Sequence, residues 1–221
     1  TPRSACTSCA HKLSLADNIP ILSFAWLKAR CRYCKASVSW RYPSVELLTA
    51  VLSALVIWHF GSGIAGLSAL IFLWLLIIMS FIDLDTQLLP DELTLPLMWL
   101  GLLINLDGTF VPLRDAVIGA AAGYLFLWLV YWMFLAATGK EGIGYGDFKL
   151  LAALGAWMGW TMLPLIVLLS SVVGATVGLL MIALKRHHRD SPIPFGPFLA
   201  TAGLLAILIG QPIINSWLAP F

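Results

Sequence analysis

Seven apolar runs, separated by short polar stretches, fill most of the chain after its first 43 residues. They lie at 44–60, 64–82, 92–106, 115–137, 148–160, 162–184 and 195–217. A membrane-spanning helix needs roughly 20 mostly apolar residues, so the pattern predicts about seven spans. The runs at 92–106 and 148–160 are short, and we expect them to tilt, to end below one interface or to line a water-filled cleft. The predicted fold class is all-α, a polytopic membrane helical bundle without a convincing internal repeat.

Composition agrees with a membrane location. Hydrophobic residues make up 60% of the 221 residues, charged residues only 11%, and the mean hydropathy is +0.92. A soluble domain carries roughly a quarter charged residues, so this chain has too few to cover a water-facing surface. Because the sequence begins at Thr1 without a signal-peptide pattern, we expect a further N-terminal piece in the intact protein.

The distribution of lysine and arginine predicts the orientation of the spans. Seven of the thirteen lie in residues 1–43, and five more fall at or beside loops that seven alternating spans place on the same side, at 83–91, 138–147 and 185–194. Only Arg114 falls on the opposite side. Because loops rich in lysine and arginine stay in the cytoplasm, residues 1–43 and these loops are predicted to be cytoplasmic. In the last loop, His187 and His188 are predicted to contact lipid headgroups.

Four cysteines form two Cys-x-x-Cys pairs near the N-terminus, with a 21-residue spacer between the pairs: Cys6, Cys9, Cys31 and Cys34. Two such turns can close a tetrahedral thiolate site around Zn²⁺. Residues 1–43 are too few for a good hydrophobic core, and metal binding would contribute folding free energy. The sequence therefore predicts a structural Cys₄ zinc module at 1–43, in a reducing compartment, followed by a membrane domain at 44–221.

Three aspartates follow the second apolar run: Asp83, Asp85 and Asp91. Acids at a membrane interface cost little, and Asp91 with Glu92 is best explained as the N-cap region of the next helix. That structural explanation is weaker for Asp83, because it follows an unbroken apolar helix into a region of low dielectric. Acidic residues in such places are functional by default, so Asp83 is a candidate catalytic residue.

Another acid follows two glycines in a short motif formed by Gly144, Tyr145, Gly146, Asp147, Phe148 and Lys149. Glycines permit a close backbone approach ahead of the acid. As a plain N-cap of the helix at 148–160, Asp147 would need no functional explanation. The predicted topology, however, places Asp147 on the same membrane face as Asp83, which favours a pair. Two adjacent carboxylates share a proton, so one can activate water while the other polarises a peptide carbonyl.

A segment rich in proline and glycine precedes the last apolar run: Pro194, Phe195, Gly196 and Pro197. Such a cluster ordinarily marks only a helix boundary. The functional alternative is a backbone wall beside the aspartates that presents peptide groups to an extended substrate. The sequence leaves both interpretations open.

Seven motifs in chain order resemble the bacterial type IV prepilin peptidases, the leader peptidases of type IV pilus and type II secretion systems. Each motif alone is weak evidence, but seven of them in this order are specific for the family. They are Cys6-x-x-Cys9, Asp17-Asn-Ile-Pro-Ile-Leu-Ser23, Cys31-Arg-Tyr-Cys34-Lys35, Arg41-Tyr-Pro-Ser-Val-Glu46, Ile82-Asp83-Leu-Asp85 with Leu89-Pro90-Asp91, Gly142-Ile-Gly144-Tyr-Gly146-Asp147-Phe-Lys149, and Phe195-Gly196-Pro197.

The resemblance implies a GxGD-type membrane aspartic protease whose catalytic pair is Asp83, rather than Asp85, and Asp147. It also implies cleavage of a prepilin or pseudopilin helix at the cytoplasmic face of the bacterial inner membrane, after the glycine that precedes the mature N-terminal residue. Many members methylate the new N-terminus with S-adenosylmethionine, and their four cysteines are thought to bind zinc. Members usually begin with one more transmembrane helix, so eight spans and methylation are expected in the intact protein.

Two other classes of function fit parts of the sequence. A proton-coupled transporter would use intramembrane acids as a relay, but it predicts acids near the midplane of spans and broken helices in repeated halves. A non-enzymatic scaffold with a zinc module would leave both aspartates as caps worth about 1 kcal/mol each. Nucleic-acid binding is not expected, because the basic residues have a topological explanation and neither an RNA-binding nor a phosphate-loop motif is seen.

Overall fold

The computed structural model describes residues 5–6, 8–14, 16–19, 21–140, 142–184 and 194–218. The predicted lipid contacts of His187 and His188 lie outside these residues. Across the described ranges the regular structure is helical, apart from two isolated bridges, so the all-α prediction is confirmed. The chain divides into two compact units, Thr1–Leu55 and Val56–Phe221.

Seven apolar helices follow a short helix in the described part of the chain, and they correspond one by one to the predicted runs. The bounds are α1 Leu22–Trp26, α2 Arg41–Phe60, α3 Ile64–Thr86, α4 Asp91–Ile104, α5 Leu113–Thr138, α6 Tyr145–Met158, α7 Leu163–Ala183 and α8 Gly196–Leu218. Four segments are long and apolar enough to cross a membrane: α2, α3, α5 and Trp160–Met181, which contains most of α7. With 14 residues each, α4 and α6 are shorter than an ordinary span. The chain is therefore a membrane protein.

The core of the Val56–Phe221 unit is centred on α6, which is buried continuously from Leu150 to Met158 and packs against α4, α5 and α8. A Cβ atom on Gly155 would lie 2.2 Å from the backbone oxygen of Gly119 in α5, and one on Gly123 would lie 2.6 Å from that of Leu151. This Gly-xxx-Gly contact lets the two backbones approach closely. Small residues serve this purpose in membranes, where lipid provides no hydrophobic force between helices.

A buried amide fixes the C-terminal end of α6. Asn105, which follows α4, donates from Nδ2 to the carbonyl oxygens of Ala156 at 2.9 Å and Trp157 at 3.1 Å. Its Oδ1 accepts hydrogen bonds from the backbone N–H groups of Phe110 and Val111. Because the last carbonyls of a helix lack partners within the helix, Asn105 supplies donors that the end of α6 needs.

Candidate catalytic aspartates and metal centre

Asp83 lies in the last turn of α3, where it is only 5% exposed. Its Oδ2 accepts a hydrogen bond of 2.9 Å from the backbone N–H of Gly196, the first residue of α8. A Cβ atom on Gly196 would lie 2.7 Å from the same oxygen, so this close approach requires glycine. Asp85, two residues later, is exposed. The two acids are therefore neighbours in sequence, but only Asp83 is buried.

Asp147 is the third residue of α6, because the helix begins at Tyr145 rather than at 148 as predicted. The N-cap is Gly144, so the interpretation of Asp147 as a plain N-cap is wrong. Instead the Oδ2 atom of Asp147 accepts a hydrogen bond of 3.2 Å from the backbone N–H of Gly144. In a capping box, the side chain of the third helical residue accepts a hydrogen bond from the backbone N–H of the N-cap residue, as Asp147 does here. The carboxylate held in this way is only 7% exposed.

The structure brings the two aspartates together. Asp83 lies close enough to Asp147 for its charge to act on the second carboxylate. Leu89, between α3 and α4, lies at the centre of this contact: a Cβ atom on Gly146 would be 2.6 Å from Leu89 Cβ, and one on Gly196 would be 3.2 Å from Leu89 Cδ1. The C-terminal end of α3 and the N-terminal ends of α6 and α8 therefore meet at one point. Helix N-termini carry partial positive charge, which favours carboxylates there.

Lys149, from the glycine-rich motif, pairs with Asp91 at the start of α4, with Nζ and Oδ1 2.5 Å apart. Asp91 and Glu92 lie in the first turn of α4, as the interpretation of an N-cap region predicts. The N-cap residue itself is Pro90, and no side chain makes a capping hydrogen bond there. The pair joins α4 to α6 two residues beyond Asp147. Sequence reasoning missed it, because the partners are 58 residues apart and neither motif indicates the other.

The segment Pro194–Pro197 has features of both earlier interpretations. Pro194 and Phe195 precede α8, which begins at Gly196, so the cluster does mark a helix boundary. Phe195 is partly buried against the core, and Pro197 is the second residue of the helix. The backbone of this segment also reaches the aspartates directly, through the Gly196 N–H.

A second candidate site lies in the Thr1–Leu55 unit, where the Sγ atoms of all four cysteines come within 4.8 Å of one another. The cysteines are free thiols, and the Sγ atoms of Cys6 and Cys34 are 3.8 Å apart. Tetrahedral zinc with bonds of about 2.3 Å places its sulfurs about 3.8 Å apart, so the donor set fits a metal ion of this kind. Hydrogen bonds from the backbone N–H groups of Cys9 and Ser8 lower the pKa of the Cys6 thiol. A backbone hydrogen bond from His11 favours the thiolate of Cys9, but burial and the neighbouring sulfurs outweigh it and raise the pKa of Cys9 instead.

Two turns with the same hydrogen bonds hold these sulfurs. The backbone N–H of Ala10 donates to the carbonyl of Cys6, and the N–H of Lys35 donates to the carbonyl of Cys31. Ala10 and Lys35 have φ of 55° and 60°, and isolated bridges flank both turns. The structure thus contains a short repeat that sequence analysis did not recognise. The equal spacing within the two cysteine pairs was its only sign.

Comparisons with known proteins give a consistent result. The model of the type IV leader peptidase family matches residues 70–179, and the model of the bacterial peptidase A24 N-terminal domain matches residues 1–60. The relatives named prepilin leader peptidase/N-methyltransferase include proteins of two Aeromonas species and of Pseudomonas aeruginosa. The Aeromonas hydrophila relative is 58% identical over 220 residues, which is 100% of this chain and 76% of that protein. The Aeromonas salmonicida relative is 58% identical over 218 residues (99% and 75%), and that of Pseudomonas aeruginosa 53% over 217 residues (98% and 75%). No solved structure matches the chain.

Proposed function

The chain belongs to the type IV leader peptidase family, and we propose that Asp83 and Asp147 are the catalytic pair with which it cleaves prepilin leader peptides. Its activity is that of a prepilin peptidase and N-methyltransferase, as in its relatives. The observation that carries the assignment of the pair is geometric. Two buried carboxylates lie where the end of α3 and the starts of α6 and α8 meet around Leu89, and each accepts a backbone N–H hydrogen bond that keeps it in place. The transporter and scaffold alternatives find no support among the relatives.

The proposed chemistry needs only the two carboxylates and water. Two adjacent carboxylates share one proton. The ionised one takes a proton from the attacking water, and the protonated one donates to the oxygen of the scissile carbonyl. The resulting adduct then collapses, the carbon–nitrogen bond breaks, and a proton passes to the leaving amine. A carboxylate has two oxygens, so the hydrogen bonds from Gly144 and Gly196 leave acceptor positions for water and substrate.

The proposed substrates are prepilins and pseudopilins, cut after the glycine that precedes the mature N-terminal residue. We place cleavage on the cytoplasmic side of the bacterial inner membrane, with lipid around the helices. The lysine and arginine residues support this orientation, because twelve of the thirteen fall on one predicted side.

Residues 1–43 are proposed as the cytoplasmic zinc module and residues 44–221 as the membrane peptidase domain. Cys6, Cys9, Cys31 and Cys34 would hold Zn²⁺. Four thiolates close the coordination shell and leave no position for water or substrate, so the ion would be structural. For the second activity, S-adenosylmethionine would supply a methyl group to the new N-terminal amine.

The catalytic pair is tested by replacing each aspartate with its neutral isostere. The protein is placed in lipid nanodiscs with a prepilin peptide, and mass spectrometry follows the new N-terminus. Asp83→Asn and Asp147→Asn are each expected to slow cleavage by about 10²–10⁴-fold, the usual contribution of general acid–base catalysis. Asp85→Asn is the matched control, two residues from Asp83 on the same helix, and should cleave at nearly the wild-type rate. Wild-type cleavage by Asp147→Asn would refute the assignment.

A further inference from the structure

The proposed catalytic pair accounts for cleavage but not for the choice of glycine before the scissile bond. General acid–base chemistry acts on water and on the carbonyl, so it does not depend on the side chain of that residue. A side chain there would nevertheless come close to the aspartates, because its Cβ atom lies only about 2.5 Å from the carbonyl carbon that water attacks. A wall beside Asp83 and Asp147 that leaves no space for this Cβ atom would produce the preference for glycine.

Leu89, in the connection between α3 and α4, forms an apolar wall beside Asp83. A Cβ atom on Gly196 would lie 2.7 Å from Asp83 Oδ2 and 3.2 Å from Leu89 Cδ1. The methyl group and the carboxylate oxygen are therefore both within contact distance of one point. Leu89 is partly buried, so part of its side chain packs against the core and the rest of its surface is accessible.

The starts of two helices hold Leu89 in place. A Cβ atom on Gly146 would lie 2.6 Å from Leu89 Cβ and 3.2 Å from its backbone oxygen, so the backbone of α6 lies directly against Leu89. Its Cδ1 atom lies against Gly196 at the start of α8. These neighbours are backbone atoms that cannot rotate away as a side chain can, and Pro90 further restricts the backbone of Leu89. The wall therefore cannot easily yield to an added group, as is usual where packing is close.

We propose that Leu89 is a specificity-determining residue of the peptidase, whose side chain restricts the residue before the scissile bond to glycine. The inference rests on the proposed function. Leu89 has no titratable group and takes no part in proton transfer, so its role is steric exclusion. A methyl group in place of a glycine hydrogen would have to displace Leu89 or move the scissile carbonyl away from the aspartates. A misplacement of about 1 Å can cost about 10²-fold in rate.

The test compares substrates that differ only before the scissile bond. The protein in lipid nanodiscs receives prepilin peptides with glycine, alanine or serine at that position, and mass spectrometry gives kcat/KM for each. Leu89→Ala removes the branched end of the side chain and should lower the ratio of glycine to alanine cleavage at least about tenfold, the discrimination that one methyl group provides in an apolar pocket. Leu89→Val should shift the ratio in the same direction by less. Leu89→Met has a similar volume and should keep the ratio.

Leu88→Ala is the matched control, because Leu88 is the adjacent residue and its side chain is 68% exposed. It should keep both the rate and the ratio. A loss of folding or of aspartate positioning would slow the glycine and alanine peptides alike, so the ratio distinguishes specificity from structural support.

An unchanged ratio in both Leu89→Ala and Leu89→Val would overturn the assignment of Leu89, while cleavage after glycine by the wild type would still support the proposed function. A change confined to the preference for the residue after the bond would also overturn it, because Leu89 would then face the other side of the bond. If the wild type cleaves none of the peptides, the proposed function and this inference both fail.

Discussion

Two sites of the molecule bring together side chains that are distant along the chain, but they do so by different means. One is formed by the four cysteines of the Thr1–Leu55 unit, and the other by the two aspartates of the Val56–Phe221 unit. Each cysteine pair lies on its own turn, closed by a backbone hydrogen bond. The two turns then need only to meet around one ion. Asp83 and Asp147 lie on separate helices, and a third helix provides the N–H that holds Asp83. The proposed metal site therefore depends on local turns, and the aspartate site on the packing of whole helices.

This difference indicates how each site fails. A metal site built from turns is lost when one ligand is lost, because the ion contributes much of the folding free energy of a small module. An aspartate site built from helices should also respond to changes far from either carboxylate, wherever a contact sets the position of α6. Substitutions in each unit can therefore test the comparison separately.

The largest effect is expected from removing one ligand of the proposed zinc site. Cys31 is the most buried of the four, at 6% exposure. Structural zinc contributes about 10–16 kcal/mol in small zinc domains, far more than a short segment gains from its own core. Cys31→Ser should therefore lose the single zinc ion per chain and expose the N-terminal residues to protease. Elemental analysis and limited proteolysis measure these changes.

The Val56–Phe221 unit, which holds the aspartates, is the internal reference in the same experiment. Its helices should stay resistant to protease in Cys31→Ser. Ser37→Ala, beside the second cysteine turn, is the control and should keep its zinc. Protease resistance of the N-terminal residues without bound metal would show that the turns fold on their own.

The helices could be predicted because the length of an apolar run is read directly from the sequence. Their ends were less certain, since they depend on caps and tertiary contacts. The start of α6 shows this: two glycines indicated a break before 148, yet the helix begins at Tyr145 because Asp147 reaches back to the N–H of Gly144. Asp83 and Asp147 were singled out because an acid after an apolar helix and an acid after two glycines are both local patterns.

Contacts between distant segments could not be predicted in the same way. The Gly119-xxx-Gly123 spacing is visible in the sequence, but nothing there identifies Gly155 as its partner. Asn105 is similarly a single polar residue after an apolar run, and only the folded chain shows that it holds the last carbonyls of α6. One sequence gives each residue's chemistry but not which distant segment it meets.

A methyl group added at the crossing of α5 and α6 should lower the stability and the cleavage rate of the Val56–Phe221 unit, and it should leave the zinc content unchanged. In Gly155→Ala the new Cβ would lie 2.2 Å from the carbonyl oxygen of Gly119, and only a backbone shift can relieve that contact. We expect a loss of about 1–3 kcal/mol in stability, as for other overpacked cores. Cleavage should also slow, because α6 carries Asp147. Thermal unfolding in detergent and the cleavage rate measure both effects.

Gly63→Ala is the matched control for this change. Gly63 has φ of −77°, and no atom lies within 4 Å of the position its Cβ would take. The same added methyl group should therefore be nearly neutral there. Equal stability of the two variants would mean that the aspartate site does not depend on the α5–α6 crossing.

The smallest effect on stability is expected at the ion pair between Lys149 and Asp91. Their side chains are 27% and 53% exposed, and exposed ion pairs are worth roughly 0–1 kcal/mol. Lys149→Met should therefore change the unfolding temperature little. It removes a link between α4 and α6 two residues from Asp147, so we expect cleavage to slow by about tenfold, the equivalent of 1.4 kcal/mol in the barrier. Thermal unfolding and the rate of leader release give the two values.

Lys149→Arg can pair with Asp91 in the same way and should restore most of the rate, which separates positioning from a general loss of charge. Lys140→Met removes a lysine just beyond the end of α5 and should leave both quantities unchanged. A slower rate with intact stability would show that a weak surface pair still matters where three helices must meet. If Lys149→Met instead cleaves like Lys140→Met, the packing around Leu89, Gly146 and Gly196 is sufficient to position the aspartates.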